Sequence, residues 1–301
     1  METRTIAPGD PEYPTTLLRL EHPPTLRVRG KLGWGDRVAI VGTREASAEA
    51  VAYARKLAGE LSRAGVTIWS GGALGIDSAA HEGGLEGRAR TVVVLPSGLE
   101  HPFPERNADL FARVLDEGGA LVSGFEDERI PTRAQFFRRN EILAACVPVL
   151  VVVQCPFQSG ARNAAKAARE LGRKVGVVAS PPWEPAGAGW ILELRLGATP
   201  ITRAKDALDL LGLAGPEQAE LFPADPLAAD PIESEPEPDR RLLRAIRDGA
   251  RHVDAICEAL SEPAAEITRR LLGLVLRGLV VEAPEGLVLA SRARVTNTPR
   301  P

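Results

Sequence analysis

Residues 37 to 71 read RVAIVGTREASAEAVAYARKLAGELSRAGVTIWSG. Two short β-branched runs, RVAIVG (37–42) and VTIWSG (66–71), flank SAEAVAYARKLAGELSRAG (47–65), whose apolar positions recur at helical spacing. Strand, helix and strand in that order form the unit from which parallel sheets are built. The alternation continues through RTVVVLPSG (90–98), GALVSGF (119–125), VPVLVVVQ (147–154) and RKVGVVAS (173–180), with ARNAAKAARELGR (161–173) as a further helix. Each strand run is apolar throughout, as expected of a strand covered on both faces. The pattern predicts an α/β fold, a mostly parallel sheet with helices on both faces. Right-handed crossovers then bring the loops that follow the strands to one carboxyl edge, where open α/β sheets bind ligands.

The chain has 301 residues and is 44% hydrophobic, enough for a medium domain and a smaller one. Its formal charge of −3 gives no global attraction to nucleic acid, so any anion-binding surface must be local. Cys146, Cys155 and Cys257 form no CxxC pair, which speaks against a metal site or a disulfide framework and suits a reducing cytoplasm. The first residues lack the plan of a signal peptide, and no apolar run has the length of a membrane span, so a cytoplasmic protein without a membrane partner is expected.

Residues 214–238 contain six prolines and seven acidic residues with no Lys or Arg, the composition of a linker. Beyond it, RRLLRAIRDG, HVDAICEAL and PAAEITRRLLGLVLRGLV read as three helices, and VVEAPEGLVL as a two-strand ribbon turning at Pro284 to Gly286. This is the winged-helix plan. Residues 239–290 carry eight basic and eight acidic residues, so contact with protein is at least as well supported there as groove reading. The expected organisation is an N-terminal extension packing on the core (1–35), the α/β domain (36–213), the linker (214–238), the winged helix (239–290) and a tail (291–301).

Five segments fall at the carboxyl edge: Gly42-Thr43-Arg44, the turn from Ser70 and Gly71 to Gly75, Pro96-Ser97-Gly98, Phe136 to Asn140 read as a loop, and Gln154 to Asn163 with Ser159-Gly160. Glycine lets backbone N–H groups approach an anion, and a following helix N-terminus adds a favourable dipole. Repeated along one edge, such loops suit several phosphates, although any single one also serves as an ordinary tight turn. Arg138 and Arg139, beside Phe136 and Phe137, suit phosphate contact with base stacking or a solvated face. Arg162 stands among the basic residues that follow Gly160. His81 reads as a structural histidine, Asp77 as a cap for a helix beginning near Ser78, and Cys155 as a packing residue. Neither GxGxxG nor GxxxxGK[ST] occurs, so no cofactor is expected.

In their order, YPTTLLRLEHPPTLRVRG (13–30), VAIVGTREAS (38–47), SGGALGIDSAAHEGGL (70–85), VVVLPSGLEHPFPERNADL (92–110), LVSGF (121–125), FFRRNEILAA (136–145) and QSGARNAAKAARELGRKVGVV (158–178) resemble the DprA family, also called Smf or DNA-processing protein A. The resemblance spans roughly residues 10–205, and the C-terminal module is similar to the family's winged helix. It implies an extended Rossmann-like sheet, homodimers, binding of single-stranded DNA without sequence preference and loading of RecA recombinase during natural transformation, with no catalytic reaction. It places Thr43 and Arg44 in the G-[ST]-R loop, Ser70 and Gly71 in the S-G loop, Phe136, Arg139 and Asn140 in F-x-x-R-N, and Arg133 at an often basic position. Gly72, Glu141, Gln154-Cys155 and Ala161 to Ala165 depart from the family pattern. A nucleotide-binding sensor, or a phosphoribohydrolase-type enzyme on the same fold, are the competing readings; the PGGxGTxxE loop of the latter is missing.

Overall fold

The computed structural model describes residues 2–87, 89–181, 183–213, 235–277, 279–283 and 286–289. They fall into two units, divided after residue 219. In the first, all six expected strands are present as β3 (Arg37–Val41), β4 (Thr67–Ser70), β5 (Thr91–Leu95), β6 (Ala120–Ser123), β7 (Val149–Val152) and β8 (Lys174–Val177). They pair in parallel in the order β6-β5-β4-β3-β7-β8, and β9 (Thr199–Pro200) extends the β8 end.

The N-terminal stretch expected to pack on the core enters the sheet itself. Its β1 (Thr3–Ile6) and β2 (Leu26–Gly30) are antiparallel, with β2 on β6 and Val28 opposite Val122. In β2, Leu26 and Val28 are buried while the intervening Arg27 is only half-buried, the alternation of a strand with one wet face.

Strands β4 to β7 are buried on both faces, and alternate residues serve different helices. Val92, Val94 and Val122 share a cluster with Ile142 and Leu143 of α4 (Arg133–Cys146) and Ala164 and Ala168 of α5 (Gly160–Glu170). Val93, Leu95 and Leu121 meet Phe111 and Val114 of α3 (Ala108–Asp116). The helices after β3 and β4 are α1 (Ala48–Arg63), whose N-cap Ser47 side chain accepts from Ala50 N, and α2 (Ile76–Glu86); α6 (Trp190–Arg195) and α7 (Ala204–Leu211) follow β8 and β9.

One expectation is corrected. Phe136–Asn140 form no loop but lie in the first two turns of α4. Arg139 and Asn140 are buried in this helix, which runs on through Ile142, Leu143 and Ala144.

In the second unit, α8 (Glu237–Arg247), α9 (Val253–Leu260) and α10 (Ala264–Leu276) precede the ribbon β10 (Val280–Ala283) and β11 (Gly286–Leu289). Leu242, Leu243, Ile246, Ile256, Ile267 and Leu274 form its core. Glu237 and Pro238, read as linker, form the first turn of α8, where proline costs nothing because its missing N–H has no helical partner. The rest of the acidic linker up to residue 234, Pro284 and Glu285 of the expected turn, and the 291–301 tail lie outside the described residues. No helix among the described residues is long and apolar enough to cross a membrane.

Candidate nucleic-acid interface

Successive strands from β3 to β6 step to one side of the sheet, while β7 and β8 lie on the other side of β3. The loops after β3 and β7 therefore diverge and leave a crevice at the carboxyl edge. A cavity of about 280 Å³ occupies it. Gly42, Thr43, Arg44 and Glu45 line it from the β3 loop, Asp77 from α2, Phe136, Arg139 and Asn140 from α4, and Pro156 and Gln158–Ala161 from the β7 loop and α5.

Backbone bonds hold these loops together. Thr43 N donates to Gln154 O at 2.7 Å, and Ser47 N to Gln154 Oε1 at 3.0 Å. Ile76 N donates to Thr43 O at 3.3 Å, which fixes the start of α2 against the β3 loop. Ser159 caps α5, its Oγ accepting from Arg162 N at 3.2 Å, so the N-terminal turn of α5 borders the cavity. Asn140 Nδ2 donates to Gly160 O and to Asn163 Oδ1, both at 3.1 Å, tying α4 to that turn.

The two arginines in the cavity differ in kind. Arg44 is exposed, has no hydrogen bond or ion pair among the described residues, and sits with Cζ 4.9 Å from the centre of the Phe136 ring. That ring in turn meets Phe103 edge-on at 5.8 Å. The Phe136 ring's quadrupole attracts the guanidinium while Arg44 remains exposed to solvent. Arg139 is 5% exposed; its Nη1 donates to Val94 O at 3.2 Å and lies 3.9 Å from Asp77 Oδ2. Burial pushes the Asp77 carboxyl up and the Arg139 guanidinium down, and their mutual attraction opposes both shifts. The expectation that Arg139 stands on a loop is corrected: it lies in α4, buried in the lining of the cavity and facing Asp77 there.

Arg139 also explains the glycine pattern of residues 70–75. A Cβ on Gly71 would lie 1.4 Å from Arg139 Nη1, so this glycine makes room for the guanidinium. Gly75 has φ +81°, and a Cβ there would meet Thr43 O at 2.5 Å. The Ser70 hydroxyl is buried and donates to Ile40 O at 2.6 Å. Ser70 and Gly71 thus serve the packing of the turn, and neither lines the 280 Å³ cavity.

Among the other expected residues, Gly42, Thr43, Phe136, Asn140, Ser159 and Gly160 meet at the cavity, while Gly98, Arg133, Arg138 and Arg162 do not line it. Gly98 packs where a Cβ would lie 2.0 Å from Asp127 O. Arg138 turns to Glu141 at 2.7 Å and to the His22 carbonyl. Arg162 donates through Nε to Glu193 Oε1 at 2.7 Å and through Nη1 to the Phe157 carbonyl. Arg133, the first residue of α4, is exposed and unpaired among the described residues.

Sequence reasoning missed Asp77 as the partner of Arg139. A carboxylate inside a run of small residues was the available signal, since a buried acid requires a cation. Which cation answers it, 62 positions along the chain, only the fold reveals. His81 and Cys155 are core residues. Burial pushes the Cys155 thiol up to about 12, too high for a thiolate nucleophile.

Residues 4–212 match the family model described as DNA recombination-mediator protein A. The chain belongs to the DprA/Smf family. Residues 225–286 match the DprA winged helix domain. Among DprA/Smf relatives, Protein Smf of Escherichia coli is 32% identical over 298 residues, covering 96% of this chain and 78% of the relative. The putative DNA processing protein DprA of Mycobacterium tuberculosis is 35% identical over 242 residues; the match covers 80% of this chain and 61% of that relative. The solved DprA of Streptococcus pneumoniae superposes with a TM-score of 0.64 at 26% identity, covering 69% of this chain and 74% of that one. DprA of Helicobacter pylori, a structure concerned with its single-stranded DNA binding mode, gives 0.61 at 26% identity, covering 70% and 95%. The Rossmann-like sheet and the C-terminal winged helix are thus those of the DprA family.

Proposed function

We propose that this protein binds single-stranded DNA without sequence preference at the β3/β7 crevice, delivers RecA recombinase to it during natural transformation and homologous recombination, and acts as a cytoplasmic homodimer without catalysing a reaction. The observation that carries this reading is the exposed Arg44 guanidinium stacked on Phe136 at the mouth of a cavity bordered by the α5 N-terminus. A phosphate takes the charge and the helix end, and an unstacked base takes the apolar surface beside them. Helicobacter pylori DprA, a protein of the same fold, supports this as a single-strand binder. Gly42, Thr43, Arg44, Phe136, Ser159 and Gly160 are the proposed contacts, with exposed Arg133 extending the track.

Binding of labelled oligonucleotides at two salt concentrations tests the proposal. Single strands should bind more tightly than blunt duplex, and log K should fall with log salt by roughly 0.7 per phosphate neutralised. Equal affinity for duplex, or indifference to salt, overturns it. Stimulation of RecA filament growth on single strands coated with single-strand binding protein tests the loading step separately.

A further inference from the structure

The loop between β7 and α5 lines the cavity through Pro156, Gln158 and Ser159, and among them stands Phe157, 52% exposed. An aromatic ring left half in water beside an anion-suited cavity is surface that a base can cover. The loop that carries it is braced. Arg162 Nη1 donates to the Phe157 carbonyl and Arg162 Nε to Glu193 Oε1 at 2.7 Å; Arg169 Nη1 donates to the other oxygen, Glu193 Oε2, at 2.6 Å. Glu193, in α6, has no exposed surface. Gly189 N, just before α6, donates to Cys155 O at 2.8 Å. A buried carboxylate must be paired, and this one is paired twice, which leaves Arg162 little freedom.

We infer that Phe157 is a second base-stacking platform, beside the cavity on the β7–α5 loop whereas Phe136 lines it from α4, and that Arg162 is not a phosphate ligand but the positioning residue that holds it, anchored by Glu193. The inference rests on the single-strand reading above. Its physical content is preorganisation: a platform fixed before binding loses less entropy when the base arrives. The Arg162 guanidinium, committed through Nε to Glu193 and through Nη1 to a carbonyl, has lost the side-on Nε/Nη2 fork that would grip a phosphate.

The full chain is titrated at low salt with a thymidine oligomer and with an abasic oligomer of equal length. Phe157→Ala should weaken the thymidine oligomer about 5-fold or more and leave the abasic oligomer unchanged, while Phe157→Trp retains both. Arg162→Ala should reproduce the base-dependent loss with an unaltered salt slope; a phosphate ligand would weaken both oligomers and lower the slope by about 1. Phe157→Ala binding both oligomers as the wild type does overturns the platform while the single-strand reading stands. A lowered slope for Arg162→Ala overturns the positioning role. Failure of the wild type to bind any single strand removes both the inference and the reading beneath it.

Discussion

Arg44 is exposed over Phe136, whereas Arg139 is buried against Asp77. Their alanine variants should separate cleanly. Arg44→Ala removes a charge-assisted contact of about 1.5–3 kcal/mol, so single-strand affinity should fall about 10-fold or more with an unchanged melting temperature, and Arg44→Lys should recover only part. Arg139→Ala leaves Asp77 buried without its cation and should cost about 3–5 kcal/mol of stability, read as a lowered midpoint in denaturant. Adding Asp77→Asn to Arg139→Ala should return part of that loss. An Arg139→Ala protein as stable as the wild type would show that the pair does not hold the cavity floor. Arg44 was legible because a cation after a strand and a glycine belongs at the carboxyl edge. The partner of Arg139 was not, because burial and pairing depend on which helix crosses beneath the sheet edge.

At the scale of the element, α2 carries a buried histidine whose protonation state follows from its neighbours. The Thr91 hydroxyl donates to Ile68 O at 2.9 Å, so it accepts from His81 Nδ1–H at 2.8 Å, and Nε2 is left unprotonated, buried and unpartnered among the described residues. Burial, with the positive charge of Arg139 adding to it, pushes the His81 pKa down to about 3 in the folded protein. Unfolded, it titrates near 6.5. Its contribution to stability is therefore complete above pH 6.5 and is lost as the pH falls toward 3, by about 1.4 kcal/mol per pH unit. Asp77, whose carboxyl is raised, works in the opposite sense, because its burial penalty relaxes as it protonates. The comparison that isolates the histidine is denaturant unfolding between pH 7 and pH 4.5 for the wild type and His81→Asn, which keeps a donor for Thr91. A flatter pH dependence is expected for the variant; identical slopes would mean that His81 does not titrate on unfolding. The six parallel strands were legible because each is a short β-branched run. The helical state of Phe136–Asn140 was not, since the paired arginines suit an exposed segment and only the fold buries Arg139 and Asn140.

At the scale of the whole molecule, the winged-helix unit carries arginines that face carboxylates: Arg270 with Glu262 and Glu266, Arg269 with Glu266, and Arg277 with Glu235 and Asp239. Surface so neutralised offers little to a phosphate backbone. Truncation after Leu213 should leave single-strand affinity within a few-fold of the full chain, whereas a collapse of binding would assign the C-terminal unit to the DNA site. The sequence by itself determined six of the parallel strands and the winged-helix plan, because hydrophobic period and turn chemistry are local properties written in neighbouring residues. It also held the family, in motifs spread from residue 13 to 178. Only the tertiary structure decided that β1 and β2 complete the sheet, that Gly71 exists to admit Arg139, and that Arg162 is held by Glu193. Each of these joins positions between about 20 and 95 residues apart, and no local pattern says which distant backbone or buried charge will satisfy a given group once water has been excluded.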